Sequence, residues 1–301
     1  MKPCKLFPPF PKNPFPKKRL SAIPWPLAGA TRPLSWARRI TMGKIFINGF
    51  SYLLGDAAAE DFAPFAQPRQ LRRMEAIAKN ALLCSFRAFE QAGIDPASPK
   101  ETGLSVAVGA GSLESTCKFM DTIIADGDEL SSPTAFAGSV HNSTAHTLSV
   151  FLHLSGPSVT TGQFDFSFAG ALLTARQFME RGLCPDALVA VAEDINPVVA
   201  EIAPKYPALF APVVRQGAFT RAAAAFAVSL KPTAHTLFTV TKFEFTRTDN
   251  KIPPAQTAYS SAAYNAVETA RLLSVGKAFS LRDIFAGAEM ILEAEPYVTV
   301  K

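Results

Sequence analysis

Asp165 stands where an extended run turns into a helix, and a carboxylate at such a turn can act as a catalyst or as a helix cap. The surrounding stretch reads Ser155-Gly-Pro-Ser-Val-Thr-Thr-Gly-Gln-Phe-Asp-Phe-Ser-Phe-Ala-Gly-Ala-Leu-Leu-Thr-Ala-Arg. Its pattern predicts a short strand over Val159–Thr161, a tight turn at Gly162 and a helix over 167–181. A strand that breaks sharply into a helix displays the residue at the break. Behind it, the unpaired N–H groups and the dipole of the helix stabilise negative charge, which is why enzymes of several folds hold a nucleophile there. Here the residue expected on display is Asp165, with neither Cys nor Ser in its place.

Few other residues are spaced for chemistry. His141, His146 and His153 lie on or near one predicted helix, but their i, i+5, i+12 spacing does not put all three on one face. No metal site and no cofactor are expected. Cys4, Cys84, Cys117 and Cys184 are scattered, with no CxxC pair. Together with the lack of a signal-peptide pattern, they imply reduced thiols in a cytoplasmic protein.

The elements that position these groups alternate. Ile45–Phe50 predicts a strand, residues 69–92 a helix closed by Gly93, and Thr102–Gly109 a buried strand. Residues 112–126 and 139–154 read as helices, and Ala187–Ala192 as a strand. Strands apolar on both faces and separated by helices argue for an α/β fold with a largely parallel sheet covered on both sides. Beyond residue 193 the signal weakens. Gln216–Leu230 suits a turn and strand, although its alanines also suit a helix; His235–Thr246 alternates as a strand does; 258–275 and 280–293 read as helices.

Charge is unevenly spread along the 301 residues. Residues 1–41 hold nine Lys and Arg, no acidic residue, nine of the 24 prolines and both tryptophans. The remaining residues carry 21 basic against 25 acidic groups, so the high pI belongs to the leader and is no argument for nucleic-acid binding by the fold. So many prolines exclude a continuous helix or a central strand. Residues 1–41 are therefore read as a disordered segment or upstream sequence, with Met42 as the natural start. The alternative is a basic arm for a membrane surface or an acidic partner.

Three segments taken in order resemble the N-terminal half of β-ketoacyl synthases, the thiolase-like condensing enzymes of fatty-acid and polyketide assembly. They are Arg72-Arg-Met with the following helix, Ala92-Gly-Ile-Asp-Pro and Thr102-Gly-Leu-Ser-Val-Ala-Val-Gly; then Ser132-Pro-Thr-Ala-Phe-Ala-Gly-Ser-Val-His-Asn-Ser-Thr-Ala-His; then Gly156-Pro-Ser-Val-Thr-Thr, the elbow helix and Arg181-Gly-Leu-Cys-Pro-Asp-Ala-Leu-Val-Ala-Val-Ala-Glu-Asp. The second block is most similar to the branch found in bacterial aryl-polyene pigment clusters. The resemblance implies a thiolase-like layered fold (α/β/α/β/α), with 42–230 matching the N-terminal half and 231–301 forming a reduced C-terminal half with a sheet of few strands.

In that family the Gly-Pro-Ser strand leads to a catalytic Cys, and counting from Gly156 places Asp165 at its position. A carboxylate lacks thiolate nucleophilicity and is a poor acyl acceptor from a thioester. The family's two catalytic histidines, in His-Gly-Thr-Gly-Thr and Gly-His patterns, have no match; His235 in Pro232-Thr-Ala-His-Thr does not fit either. A ketosynthase-like chain without these groups resembles a chain-length factor, a non-catalytic subunit that heterodimerises with an active ketosynthase and shapes the acyl tunnel. The acyl-carrier protein would then be met through that partner. The resemblance implies partner-facing or tunnel-lining roles for Phe136, His141, Asn142, Gln163, Phe164, Phe166 and Phe168. Some chain-length factors hold a Gln at the Cys position, but Gln163 falls two residues early, so that role is not carried over. The alternatives are a small malonyl-thioester decarboxylase and a stand-alone acyl-binding paralogue.

Overall fold

The computed structural model describes residues 39–72, 74–98, 100–109, 111–126, 132–194, 205, 221–247, 263–285 and 288–298. The strands are β1 (Arg39–Met42), β2 (Ile45–Leu54), β3 (Gly103–Val108), β4 (Ser158–Gly162), β5 (Asp186–Asp194), β6 (Arg221–Ser229), β7 (Phe238–Arg247), β8 (Phe279–Phe285) and β9 (Ala288–Pro296). The helices are α1 (Pro68–Leu71), α2 (Ala76–Gln91), α3 (Leu113–Asp126), α4 (Pro133–Ser139), α5 (Ser143–Phe151), α6 (Ser167–Glu180) and α7 (Tyr264–Ser274). All nine strands join one sheet in the order β4-β3-β5-β6-β2-β7-β9-β8, with β1 paired to β7 beside the end of β2.

Only β4, β3 and β5 run parallel, with Ser105 opposite Val159 on one side and Val189 on the other. Parallel neighbours need a crossover, and the helices between β3 and β4 and between β4 and β5 provide it. From β5 outward each pairing is antiparallel. The largely parallel sheet expected from the sequence is thus a mixed one.

Helices cover both faces. α2 and α5 pack over Leu104, Val106 and Leu188, while α6 and α7 pack over Val189, Val191 and Phe226. Each fully buried Leu or Phe contributes on the order of 2 kcal/mol of hydrophobic stabilisation. The alanine run of β6 shows how this layering overrides local propensity. Ala223, Ala225 and Ala227 face one helix layer, and Ala222, Ala224 and Phe226 face the other, all buried. A strand sandwiched between two helix layers wants small side chains on both faces, so the run is a strand despite the helix preference of alanine. Gly49 meets the same demand at β2: a Cβ there would lie 2.0 Å from the Ala88 carbonyl oxygen of α2.

Several sequence expectations are revised. Residues 280–285 and 288–293 are not helical but belong to β8 and β9. Their Glu, Leu, Met and Ala favour helix, yet Met290, Leu292 and Ala294 are buried at period two while the residues between face outward. The expected helix over 69–92 divides into α1 and α2, and that over 139–154 shortens to α5, with Val140 extended after the end of α4. β1 straddles the boundary drawn at Met42; residues 1–38 lie outside the described residues.

The C-terminal strands also differ from expectation. Rather than forming a small sheet of their own, β7, β9 and β8 extend the first sheet. The fold is α/β and thiolase-like, and the described residues account for three of its layers, helices over sheet over helices.

Candidate functional site at the elbow

The elbow sits at the rim of the sheet. β4 is an end strand, exposed over Ser158 and Val159, and its outer edge has no strand partner among the described residues. After Gly162 the chain passes through Gln163 into a 3-10 turn, Phe164–Phe166, that runs directly into α6. Phe164 has φ +52°, a left-handed conformation that bulky residues rarely adopt and that costs on the order of 1–3 kcal/mol. Ser167 holds it there. Its hydroxyl accepts from the Gln163 amide at 2.8 Å and shares its proton between the carbonyls of Phe164 (2.7 Å) and Val108 (2.9 Å) at the end of β3.

This turn changes which side chain the elbow displays. Phe164 is 59% exposed, whereas Asp165 is 2% exposed. The left-handed residue swings the chain so that Asp165 points inward, against the expectation that it would be presented. From α7, the buried Asn265 donates to the Asp165 backbone carbonyl at 3.1 Å and to the Asp283 carboxylate of β8 at 2.8 Å. Nothing in the one-dimensional pattern around Asn265 announces that link.

The other candidate residues divide into two groups. Phe166 and Phe168 are core residues; Phe166 meets Phe245 edge-on at 4.9 Å between centroids, and Phe168 lies 5.2 Å from Phe226. Phe136, His141, Asn142 and Gln163 are exposed with Phe164. Phe136 packs against Phe119 at 5.3 Å, and the Asn142 carbonyl accepts from the His146 amide as α5 begins. Exposed Val140 and Val150 lie on the same helical block, and exposed Val159 on β4.

An ion cluster braces the same edge of the sheet, where β3, β4 and β5 all end. Arg221 at the start of β6 binds Asp56 and reaches Asp194 at 3.0 Å and Glu114 at 3.6 Å. One guanidinium thereby joins β6, the end of β5, the loop after β2 and the first turn of α3. Burial raises the Asp194 pKa, and the Arg221 hydrogen bond opposes that rise.

A cavity of about 360 Å³ opens beside the elbow between α6 and β7. Phe166, Phe243 and Phe245 line its inner side, and Gln163 lies at its mouth. Among the described residues, no group of three or more His, Cys, Asp or Glu could hold a metal ion. No described helix is long and apolar enough to cross a membrane.

Residues 49–229, more than half of the chain, match the family model described as Beta-ketoacyl synthase, N-terminal domain. The chain belongs to the β-ketoacyl synthase family. Solved ketosynthase structures share its fold. "The ishigamide ketosynthase/chain length factor" aligns with TM-score 0.68 at 16% identity, over 85% of this chain and 100% of that one. "AntDE:AntF (apo)", a type II polyketide acyl-carrier protein in complex with its ketosynthase, aligns with TM-score 0.67 at 12% identity, over 85% and 100%. The ketosynthase ApeO in complex with its chain length factor ApeC from Xenorhabdus doucetiae aligns with TM-score 0.57 at 14% identity, over 84% and 100%.

Proposed function

We propose that this chain is a non-catalytic, chain-length-factor-like subunit. It pairs with an active β-ketoacyl synthase and shapes the tunnel for the growing acyl chain in polyketide or aryl-polyene assembly. The observation that carries this reading is the elbow itself. At the family's Cys position stands a carboxylate, turned inward at 2% exposure, while the side chain presented to the outside is a phenylalanine. Phenylalanine has no nucleophilic atom, and a buried carboxylate cannot reach a thioester. What the elbow offers is apolar surface. Phe164, Val159, Phe136, Val140 and Val150 are each more than a third exposed on β4, α4, α5 and their connections, and among the described residues no strand pairs with the outer edge of β4 beside them. Exposed apolar groups around an open edge are a liability that a partner subunit covers. The solved structures of similar fold include ketosynthases paired with chain length factors, which supports a partner of that kind.

Co-expression with a Cys-bearing β-ketoacyl synthase from the same organism tests the reading. The expected result is a stable heterodimer in which the ketosynthase gains condensing activity. A ketosynthase that is fully active as a homodimer without this chain, and does not bind it, overturns the proposal.

A further inference from the structure

A second cavity, of about 500 Å³, opens at the end of the sheet opposite the elbow, where β5 begins and β6 ends. Residues from both helix layers line it. Ala92 and Ile94 follow the end of α2, and Met179 lies in the last turn of α6. Asp186 opens β5, and Leu230 and Lys231 lie in the chain that leaves β6. Ala92 and Met179 are each 6% exposed, so the floor is closed and apolar, whereas Lys231 stands exposed. The volume falls within the range of small-molecule sites.

The polar groups of the wall are of two kinds. Asn48 donates to the Ser229 hydroxyl at 2.9 Å and accepts from the Thr233 hydroxyl at 3.2 Å. Ser229 in turn donates to the Lys231 carbonyl at 2.6 Å. These groups satisfy one another. Asp186 differs, because its Oδ1 is buried without a hydrogen-bond partner among the described residues. Lys100, a cation close enough to act on Asp186, donates instead to the carbonyls of Pro96 at 3.2 Å and Leu152 at 2.8 Å, and to that of Ser98. The Lys231 ammonium has no ion pair among the described residues. A carboxylate and an ammonium therefore share this cavity without closing on each other.

A buried carboxylate oxygen without a donor is costly, and an ammonium supplies one. A ligand with two ammonium groups would set one against Lys231, and a ligand with two carboxylates would set one against Asp186. A neutral ligand would leave both charges unmet. We propose that this cavity binds an α-amino acid with an apolar side chain. Its ammonium donates to Asp186, its carboxylate meets Lys231, and its side chain lies against Ala92, Ile94, Met179 and Leu230. Charge-assisted hydrogen bonds at both ends fix the orientation. The flexible lysine stem lets Lys231 reach a carboxylate carried on the same carbon as the ammonium. The site goes beyond the chain-length-factor reading and does not depend on it.

The test is isothermal titration calorimetry of the full chain with L-leucine, isoamylamine and isocaproate. The amine is leucine without its carboxylate, and isocaproate is leucine without its ammonium. Leucine should bind saturably and raise the melting temperature. Each analogue should bind about tenfold more weakly, as expected for loss of one charge-assisted hydrogen bond. Asp186→Asn should weaken leucine by a similar factor and leave isocaproate unchanged. Lys231→Met should weaken leucine and leave isoamylamine unchanged. Val275→Ala, at an exposed site that does not line the cavity, should bind as wild type does. Absence of saturable leucine binding to folded wild type overturns the proposal, as does equal affinity for the three compounds, the mark of a purely apolar cavity. Leucine affinity unchanged in both charge variants overturns it as well. All of these readings are made on this chain alone, so they stand or fall apart from its association with a ketosynthase.

Discussion

The side-chain amide of Asn265 donates to the backbone carbonyl of Asp165 at 3.1 Å, tying α7 to the elbow across 100 residues of sequence. The same nitrogen donates to Asp283 at 2.8 Å, while Asn265 Oδ1 is buried without a hydrogen-bond partner. The residue therefore stabilises the elbow through its two donors. Asn265→Ala leaves a buried carbonyl and a carboxylate without their donor and should cost about 1–3 kcal/mol in urea denaturation. Asn265→Asp should cost more, because it removes the donors and sets a second carboxyl against Asp283.

Asp165→Cys restores the residue type that the family's pattern places at the elbow. No condensing activity should appear with an acyl-carrier-bound substrate, because the side chain at 165 points inward and neither catalytic-histidine pattern is present in the sequence. Product formation by the purified variant alone would show that the site lacks only its nucleophile.

Phe164→Gly separates shape from contact. Glycine accepts the positive φ without strain, which offsets its greater freedom in the unfolded chain, so stability should stay within about 1 kcal/mol of wild type. Association with the ketosynthase should weaken about tenfold or more, as for removal of an aromatic anchor from an interface. Titration by surface plasmon resonance, with a thermal melt of the same sample, reads both quantities.

Arg221→Met leaves Asp194, Asp56 and Glu114 without their shared cation and should destabilise by on the order of 2 kcal/mol at neutral pH. Loss of the Arg221 hydrogen bond should raise the already elevated Asp194 pKa further. A carboxyl whose folded-state pKa lies above its unfolded value binds its proton more tightly when folded. Its burden on stability is therefore absent well below the ordinary carboxylate range and grows as pH rises through the folded value. The deficit of Arg221→Met should shrink as pH falls into that range, as read by denaturant midpoints across pH.

The elbow and its flanking strands were legible in the sequence because β3 and β5 are short apolar runs, β4 lies between the breaks at Gly156-Pro157 and Gly162, and helical periods separate the three. The direction of the elbow residues was not. It depends on Ser167 reaching the Val108 carbonyl, 59 residues away, and no local pattern encodes that contact. The same limit divided the phenylalanines: Phe164 and Phe166 are two residues apart and identical in type, yet one is 59% exposed and the other 5%, because the left-handed residue and α6 set their faces. The strands β8 and β9 were missed for a different reason. Their residues are good helix formers, and the period-two burial of Met290, Leu292 and Ala294 comes from pairing with β7 and β8. Asn265, Asp283 and the β7 phenylalanines gain their places only from the way the C-terminal strands extend the first sheet.

The central claim is that the elbow serves a partner rather than a reaction. Its most direct measurement is the molar mass, by light scattering, of this chain co-purified with a Cys-bearing ketosynthase from the same organism, with each chain alone as reference. The account predicts a 1:1 complex, and self-association or aggregation of this chain on its own through the uncovered elbow face. A soluble monomer alone, beside a ketosynthase that remains a homodimer in the mixture, would contradict it.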